Sequence, residues 1–277
     1  MDESNTAAAD AYNDAIYVFD LDGVITDPRD STVDEVVVAK MSQILQQGGH
    51  IAVNTGRSFV WVQEHLVIRL QSMADTGSFD RLYIVCEKGG ESRIWQDKAF
   101  VSQPSRFALP ADVVERAHTI YTQHQAELHT MFWDATKQTM ATMEKYPDAT
   151  MELYKEQQNH LLQWLHAALE GSDAKVDPTV IATDIESPLA GKHAGAELIY
   201  EWVAKHTPVE HDTFTCFGDS KSDYEMARFF AQQGAATTFV FVGSPEVVFD
   251  EESRVTLQRT TALYAAGTRE YFAQQAN

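Results

Sequence analysis

The tetrapeptide Asp20-Leu21-Asp22-Gly23 ends the short apolar run Ala15–Phe19 with two carboxylates and no basic neighbour. Side chains alternate along a strand, so Asp20 and Asp22 leave a regular strand on the same side. Two such charges are electrostatically poor company unless a cation sits between them. With one in place, one carboxylate can act as a nucleophile and the other as a general acid/base. Gly23 permits the tight turn that such a strand exit needs. Taken alone, an Asp pair reads equally well as the close of a strand and the cap of a turn. Further candidates follow other apolar runs. Thr55 follows His50–Asn54 and precedes Gly56, so its hydroxyl and the nearby backbone N–H groups can bind an anionic oxygen. Asp219 follows Thr213–Phe217 directly, as a hard oxygen ligand for Mg2+ would. Asp223, four residues on, reads by itself as a helix cap.

These residues need strands to carry them and helices to space the strands. Ala15–Phe19, His50–Asn54 and Leu82–Cys86 are short, apolar and β-branched, as buried strands are. From Thr32, the residues Val33, Val36, Val37, Met41, Ile44 and Leu45 have helical spacing, stopped by Gly48-Gly49. Phe59–Leu70 is a second helix. After Pro188 the alternation resumes with a helix Lys192–Lys205, the strand Thr213–Phe217 and a helix Tyr224–Gln233. The strand Thr238–Val242 and a helix around Thr268–Gln275 complete it. Such alternation predicts an α/β fold with a doubly wound parallel sheet, whose chemistry lies at the carboxyl ends of the strands. The middle differs. Leu109–His129 and Ala149–Leu169 read as helices, Lys175–Ile185 as strand-like, and Thr130–Tyr146 as a polar, Met-rich stretch without an assignment. The expected organisation is an acidic flexible tail over 1–14, a core over 15–90 and 188–277, and an inserted α/β domain over 91–187.

In their order and spacing these segments resemble the haloacid dehalogenase superfamily. Asp20-Leu21-Asp22-Gly23 matches its first motif and Thr55 its second. Lys192, in Ala190-Gly191-Lys192-His193-Ala194, matches the third, and Gly218-Asp219-Ser220-Lys221-Ser222-Asp223 the fourth. The insertion, with Thr55-Gly56-Arg57 and Glu87-Lys88-Gly89-Gly90, resembles the subgroup with a C2-type α/β cap, which includes sugar-phosphate phosphatases, Cof-like hydrolases and phosphomannomutases. The resemblance implies roles. Asp20 would attack phosphorus and ligate Mg2+. Asp22 would protonate the leaving alcohol, deprotonate the attacking water and touch the metal through its carbonyl. Thr55 and Lys192 would hold the phosphoryl oxygens, Asp219 and Asp223 would serve the metal, and Gly56, Arg57 and Lys88 would line the substrate. Dehalogenases of the superfamily lack the second Asp, so Asp22 points to phosphoryl transfer. The chain departs from its relatives at Ser222 (often Asn), at Val24-Ile25-Thr26 and at Lys88 (often Asn). Lys88 reads equally as an added charge beside the substrate and as an exposed loop lysine.

The remaining composition bounds the function. Among 277 residues, 41 acidic against 21 basic give a net charge of −20. That surface repels nucleic acid and anionic membranes. No apolar run approaches the ~20 residues of a membrane span, and the Lys/Arg-free N-terminus lacks a signal-peptide pattern, so a cytoplasmic protein is expected. Two cysteines, Cys86 and Cys216, lie in apolar runs as buried hydrophobes. The ten histidines show no metal spacing; His160 and His166 read as packing or exposed. Trp133, Trp164, Met131, Met140 and Met143 read as core of the insertion before they read as a sugar pocket. Lys137, Lys145 and Lys155 are candidates to meet a distal anion. Within these bounds the resemblance implies a Mg2+-dependent phosphatase for a small phosphorylated metabolite, foremost a sugar phosphate. The alternatives are a phosphomutase of the same fold and a non-catalytic binding relative. The sequence leaves the choice between monomer and dimer open.

Overall fold

β1 (Ile16–Phe19) is buried along its whole length. Ile16 and Val18 enter one apolar cluster while Tyr17 and Phe19 enter another, as alternating side chains do when both faces of a sheet are covered. The computed structural model describes residues 16–206, 213–250 and 254–275; the tail expected over 1–14 lies outside them. β2 (His50–Asn54) and β3 (Leu82–Cys86) follow, both fully buried. β4 (Glu91–Gln96) and β5 (Ala99–Gln103) then form an antiparallel hairpin on β3. Residues 91–103, assigned from sequence to the insertion, therefore belong to the larger sheet. Their alternating, half-exposed side chains lack the apolar signature of the other strands. Their turn is also built by Asp97 and Lys98 at φ 51° and 66°, a primed geometry in which Asn-Gly is the usual signal.

Four further strands form a second sheet of their own. β6 (Met131–Trp133), β7 (Ala141–Lys145), β8 (Lys175–Pro178) and β9 (Ala182–Glu186) make an antiparallel sheet in the order β6-β7-β9-β8. The unassigned stretch Thr130–Tyr146 thus holds two strands. The single strand expected over Lys175–Ile185 is two, folded back where Thr179 Oγ1 accepts from Ala182 N at 2.9 Å. Helices Ala111–Gln123 and Met151–Ala168 cover one face of this sheet, over Ala141, Met143 and Ile185. Met131 and Met143 are buried in that core, with Trp133 and Trp164 packed against it, as the packing reading expected.

The chain then returns to the large sheet through helix Lys192–His206, β10 (Thr213–Gly218), helix Lys221–Gln232, β11 (Ala236–Phe241), β12 (Val255–Arg259) and helix Tyr264–Gln275. β12 was not legible in the sequence, because it is an edge strand with mostly half-exposed side chains. The sheet order is β12-β11-β10-β1-β2-β3-β4-β5, parallel from β12 through β3. Helices Glu35–Gln46, 59–73 and Tyr264–Gln275 cover one face, and Lys192–His206 with Lys221–Gln232 the other. Asp34 and Ser58 cap the first two of these, accepting from Val36 N and Val37 N, and from Trp61 N. Phe19 registers with Phe217 on β10 and with Val53 on β2. The exits of these three strands therefore lie side by side at one edge of the sheet. Cys86 and Cys216 are buried and unbonded.

Candidate active site

The three neighbouring exits deliver Asp20, Thr55 and Asp219. Asp20 continues the β1 pairing through its N–H to Phe217 O at 3.1 Å, and its side chain is buried. Gly23 takes the turn at φ +71°, and a methyl group there would run into the Asp219 carboxylate, so the turn and the approach both require glycine. Asp223 lies in the first turn of helix Lys221–Gln232. Its Oδ2 accepts from Asp219 N, Ser220 N and Ser220 Oγ at 3.1, 3.0 and 2.6 Å, forming a capping box. The cap reading of Asp223 thus accounts for one oxygen only. The other, Oδ1, lies 2.9 Å from Lys192 Nζ but has no hydrogen-bond partner.

Lys192 opens its helix and ion-pairs with both Asp20 and Asp223, and its Nζ donates to Asn54 O at 2.7 Å. The helix is held at this edge from below. Asn54 Nδ2 donates to Lys192 O at 2.8 Å, and Gly195 lies so close to the Asn54 side chain that a methyl group would collide with it. Asp20, Asp219 and Asp223 each place a carboxylate oxygen within 4.8 Å of the others. Burial pushes Asp20 up to about 8, with the Lys192 charge opposing it and Asp223 adding to it. Burial and then Asp223 push Asp219 up to about 7. Burial works against the charged form of Lys192, but Asp20 and Asp223 outweigh it and raise its pKa. Asp20 and Asp219, which resist ionising, and Asp223, with a buried oxygen lacking a hydrogen bond, together form a hard-oxygen set suited to a divalent cation.

The electrostatics give a pH dependence. Asp20 and Asp219 bind protons more tightly folded than unfolded, so their contribution to stability is present below about pH 4 and is lost as pH rises through 7 to 8. In EDTA, Tm should fall across that window, and millimolar Mg2+ should recover the loss. Asp219→Asn should flatten the slope, as measured by thermal denaturation; an unaltered slope in that variant would show that the cluster does not titrate this way.

Thr55 is fully buried, its Oγ1 accepting from Arg57 N at 3.1 Å. The Asp22 carboxylate is outside the group of three. It is turned onto Arg57, which donates from Nε to Oδ2 at 2.9 Å and from Nη2 to Oδ1 at 2.8 Å, with its guanidinium over the Trp61 ring. Lys88 packs beside Gly56. Its ammonium, however, is spent on the second sheet: it donates to Asp184 at 2.8 Å and to Glu186 at 2.5 Å. Lys88 therefore offers no unpaired charge to a substrate, and it is not the exposed loop lysine of the other reading. Glu87, not singled out in the sequence, is buried and accepts from Gln138 N, Thr139 N and Thr139 Oγ1. Both residues sit at positive φ, 50° and 56°, a strained pair that joins the two sheets. Lys145 and Lys155 mainly satisfy backbone carbonyls, at Ala149 and Thr179 among others. Lys137 donates to Thr142 Oγ1.

Neither a protein-family model nor a curated protein matches the sequence. Solved structures do match the fold. A haloacid dehalogenase-like hydrolase from Bacteroides thetaiotaomicron superposes with a TM-score of 0.62 at 17% identity, over 94% of this chain and 99% of that one. The chain has the haloacid dehalogenase fold. The C-terminal domain of a Candida albicans trehalose-6-phosphate phosphatase shares it, with a TM-score of 0.65 at 14% identity, over 98% of this chain and 94% of that one. So does the C-terminal domain of a Candida albicans trehalose synthase regulatory protein, with a TM-score of 0.59 at 8% identity, over 96% of each chain. A haloacid dehalogenase fold therefore does not decide activity by itself. Among the described residues, no helix is long and apolar enough to cross a membrane.

Proposed function

We propose that this chain is a Mg2+-dependent phosphatase that hydrolyses a small phosphorylated metabolite, foremost a sugar phosphate, through an aspartyl-phosphate on Asp20. The observation that carries this reading is the grouping of Asp20, Asp219, Asp223 and Lys192 at one sheet edge, with Asp22 and its Arg57 partner beside them. An Asp20 carboxylate oxygen attacks phosphorus, and the bond from phosphorus to the alcohol oxygen breaks. Asp22 gives its proton to the departing alkoxide. Asp22 then takes a proton from water, whose oxygen attacks the same phosphorus; the bond to Asp20 breaks and inorganic phosphate leaves. Lys192 offsets charge gathering on the phosphoryl oxygens, and the Thr55 hydroxyl can bind one of them. Mg2+ would be held by Asp20, Asp219 and Asp223 and, when bound, supplies further neutralisation of the phosphoryl charge.

The fold shared with a trehalose-6-phosphate phosphatase supports a sugar phosphate as the first substrate to try. A phosphate-release panel of sugar phosphates, nucleotides and phosphoglycerates should show Mg2+-dependent turnover that EDTA abolishes. Conversion of a hexose 1-phosphate into its 6-phosphate without free phosphate would replace hydrolysis with a mutase. No turnover of any ester with Mg2+ would refute both.

A further inference from the structure

Next to Asp22 a cleft of about 180 Å³ opens between the two sheets. Arg57 and Trp61 line it from one side, and Phe132, Asp134 and Glu144 from the other. Its position follows from strand register. In β7 and β9, Ala141, Met143 and Ile185 point into the core beneath the two helices. Thr142, Glu144, Asp184 and Glu186 point to the opposite face, the one Lys88 reaches from the large sheet. Phe132 stands directly across from Glu144 on β6.

Two properties of this cleft bear on what it holds. Glu144 is half-buried, yet its carboxylate makes no hydrogen bond or ion pair among the described residues. Burial raises its pKa, only partly opposed by Lys137 and Arg57. A half-buried carboxylate without a protein donor is less stable charged than in open water, and a ligand donor in the cleft would compensate it. The cations around the cleft, by contrast, are engaged: Arg57 on Asp22, Lys88 on Asp184 and Glu186, and Lys137 on Thr142 among nearby carboxylates.

We infer that Glu144 is a specificity determinant: it accepts a hydrogen bond from a hydroxyl of the leaving group and repels any second anionic group there. This rests on the phosphatase reading and narrows it. The substrate is then a polyol monophosphate, its carbon framework against Trp61 and Phe132 and its hydroxyls toward Glu144 and Asp134. Esters with a carboxylate or a second phosphate in the leaving group are excluded.

The test compares three probes with Mg2+: acetyl phosphate, whose leaving group carries no hydroxyl for Glu144, glucose 6-phosphate and 6-phosphogluconate. Wild type should favour glucose 6-phosphate over 6-phosphogluconate in kcat/KM by tenfold or more. In Glu144→Gln, glucose 6-phosphate activity relative to acetyl phosphate should fall by about threefold to tenfold, mostly through KM, as a charge-assisted hydrogen bond becomes a neutral one. Discrimination against 6-phosphogluconate should shrink, while Tm of the ligand-free protein rises. The same preference should appear as a larger Tm increase with glucose 6-phosphate than with 6-phosphogluconate in Asp20→Asn. Equal use of both sugars by wild type, or an unchanged preference in Glu144→Gln, overturns the inference while hydrolysis of acetyl phosphate leaves the phosphatase reading standing. Failure to hydrolyse any of the three probes would remove both.

Discussion

Asp20→Asn should reduce phosphate release by about 10⁴-fold or more, in line with removal of a nucleophile that acts as a unit with its neighbours. The amide keeps the shape of the carboxylate at the buried tip of β1, and Lys192 retains Asp223 at 2.9 Å. The variant should therefore fold and bind phosphate esters, which separates loss of chemistry from loss of structure. Its measure is steady-state phosphate release beside a binding-induced rise in Tm. Release within tenfold of wild type would mean that Asp20 does not attack phosphorus.

Lys192→Ala should be the most damaging single change to stability in the site. Asp20 and Asp223 are both buried and share this one ammonium. Removing it leaves carboxylates uncompensated, which costs about 3–5 kcal/mol when one partner of a buried pair is deleted. The Asn54 carbonyl also loses its donor. Chemical denaturation should show the loss, and Mg2+ should return part of it by replacing the missing positive charge. Activity should fall by about 10²–10³, the scale for deleting one stabiliser of developing phosphoryl charge. A stability within 1 kcal/mol of wild type, a margin typical of surface ion pairs, would show that the carboxylates are not held by Lys192.

Much of this site was legible because its residues follow buried strands. An apolar run such as Ile16–Phe19 or Thr213–Phe217 announces its own end, and in a parallel sheet the ends gather at one edge. Asp20, Thr55 and Asp219 could therefore be placed near one another without coordinates, whereas Asp223 alone read as a cap and Lys192 came only from the resemblance to the haloacid dehalogenase motifs. Features that depend on register across the second sheet could not be placed in this way. Glu144 lines the cleft, and Asp184 meets Lys88, only because Met143 and Ile185 face the helices, and a half-exposed strand of mixed residues carries little periodicity to show it. Nor could charge alone predict that Lys88 would be claimed by Asp184 and Glu186 rather than left for an anion. The hairpin over 91–103 and the edge strand β12 escaped for a related reason: exposed edges need no apolar pattern.

The net charge of −20 no longer weighs against phosphate chemistry. Local charge at the sheet edge is set by Asp20, Asp219 and Asp223 against Lys192, together with the cation their donor set suits. The surplus of acid elsewhere still opposes nucleic-acid binding. In the cleft it favours a neutral leaving group over an anionic one.

In the proposed mechanism the phosphoryl group passes through Asp20 and leaves with the help of Asp22. The most direct measurement is an acid-quenched reaction with phosphorus-labelled acetyl phosphate and Mg2+, whose leaving group needs no proton from Asp22. Asp22→Asn should accumulate nearly one labelled phosphoryl group per chain, because Asp20 still attacks while water is no longer deprotonated; Asp20→Asn should carry none. Equal labelling of the two variants, or label on neither, would contradict the mechanism.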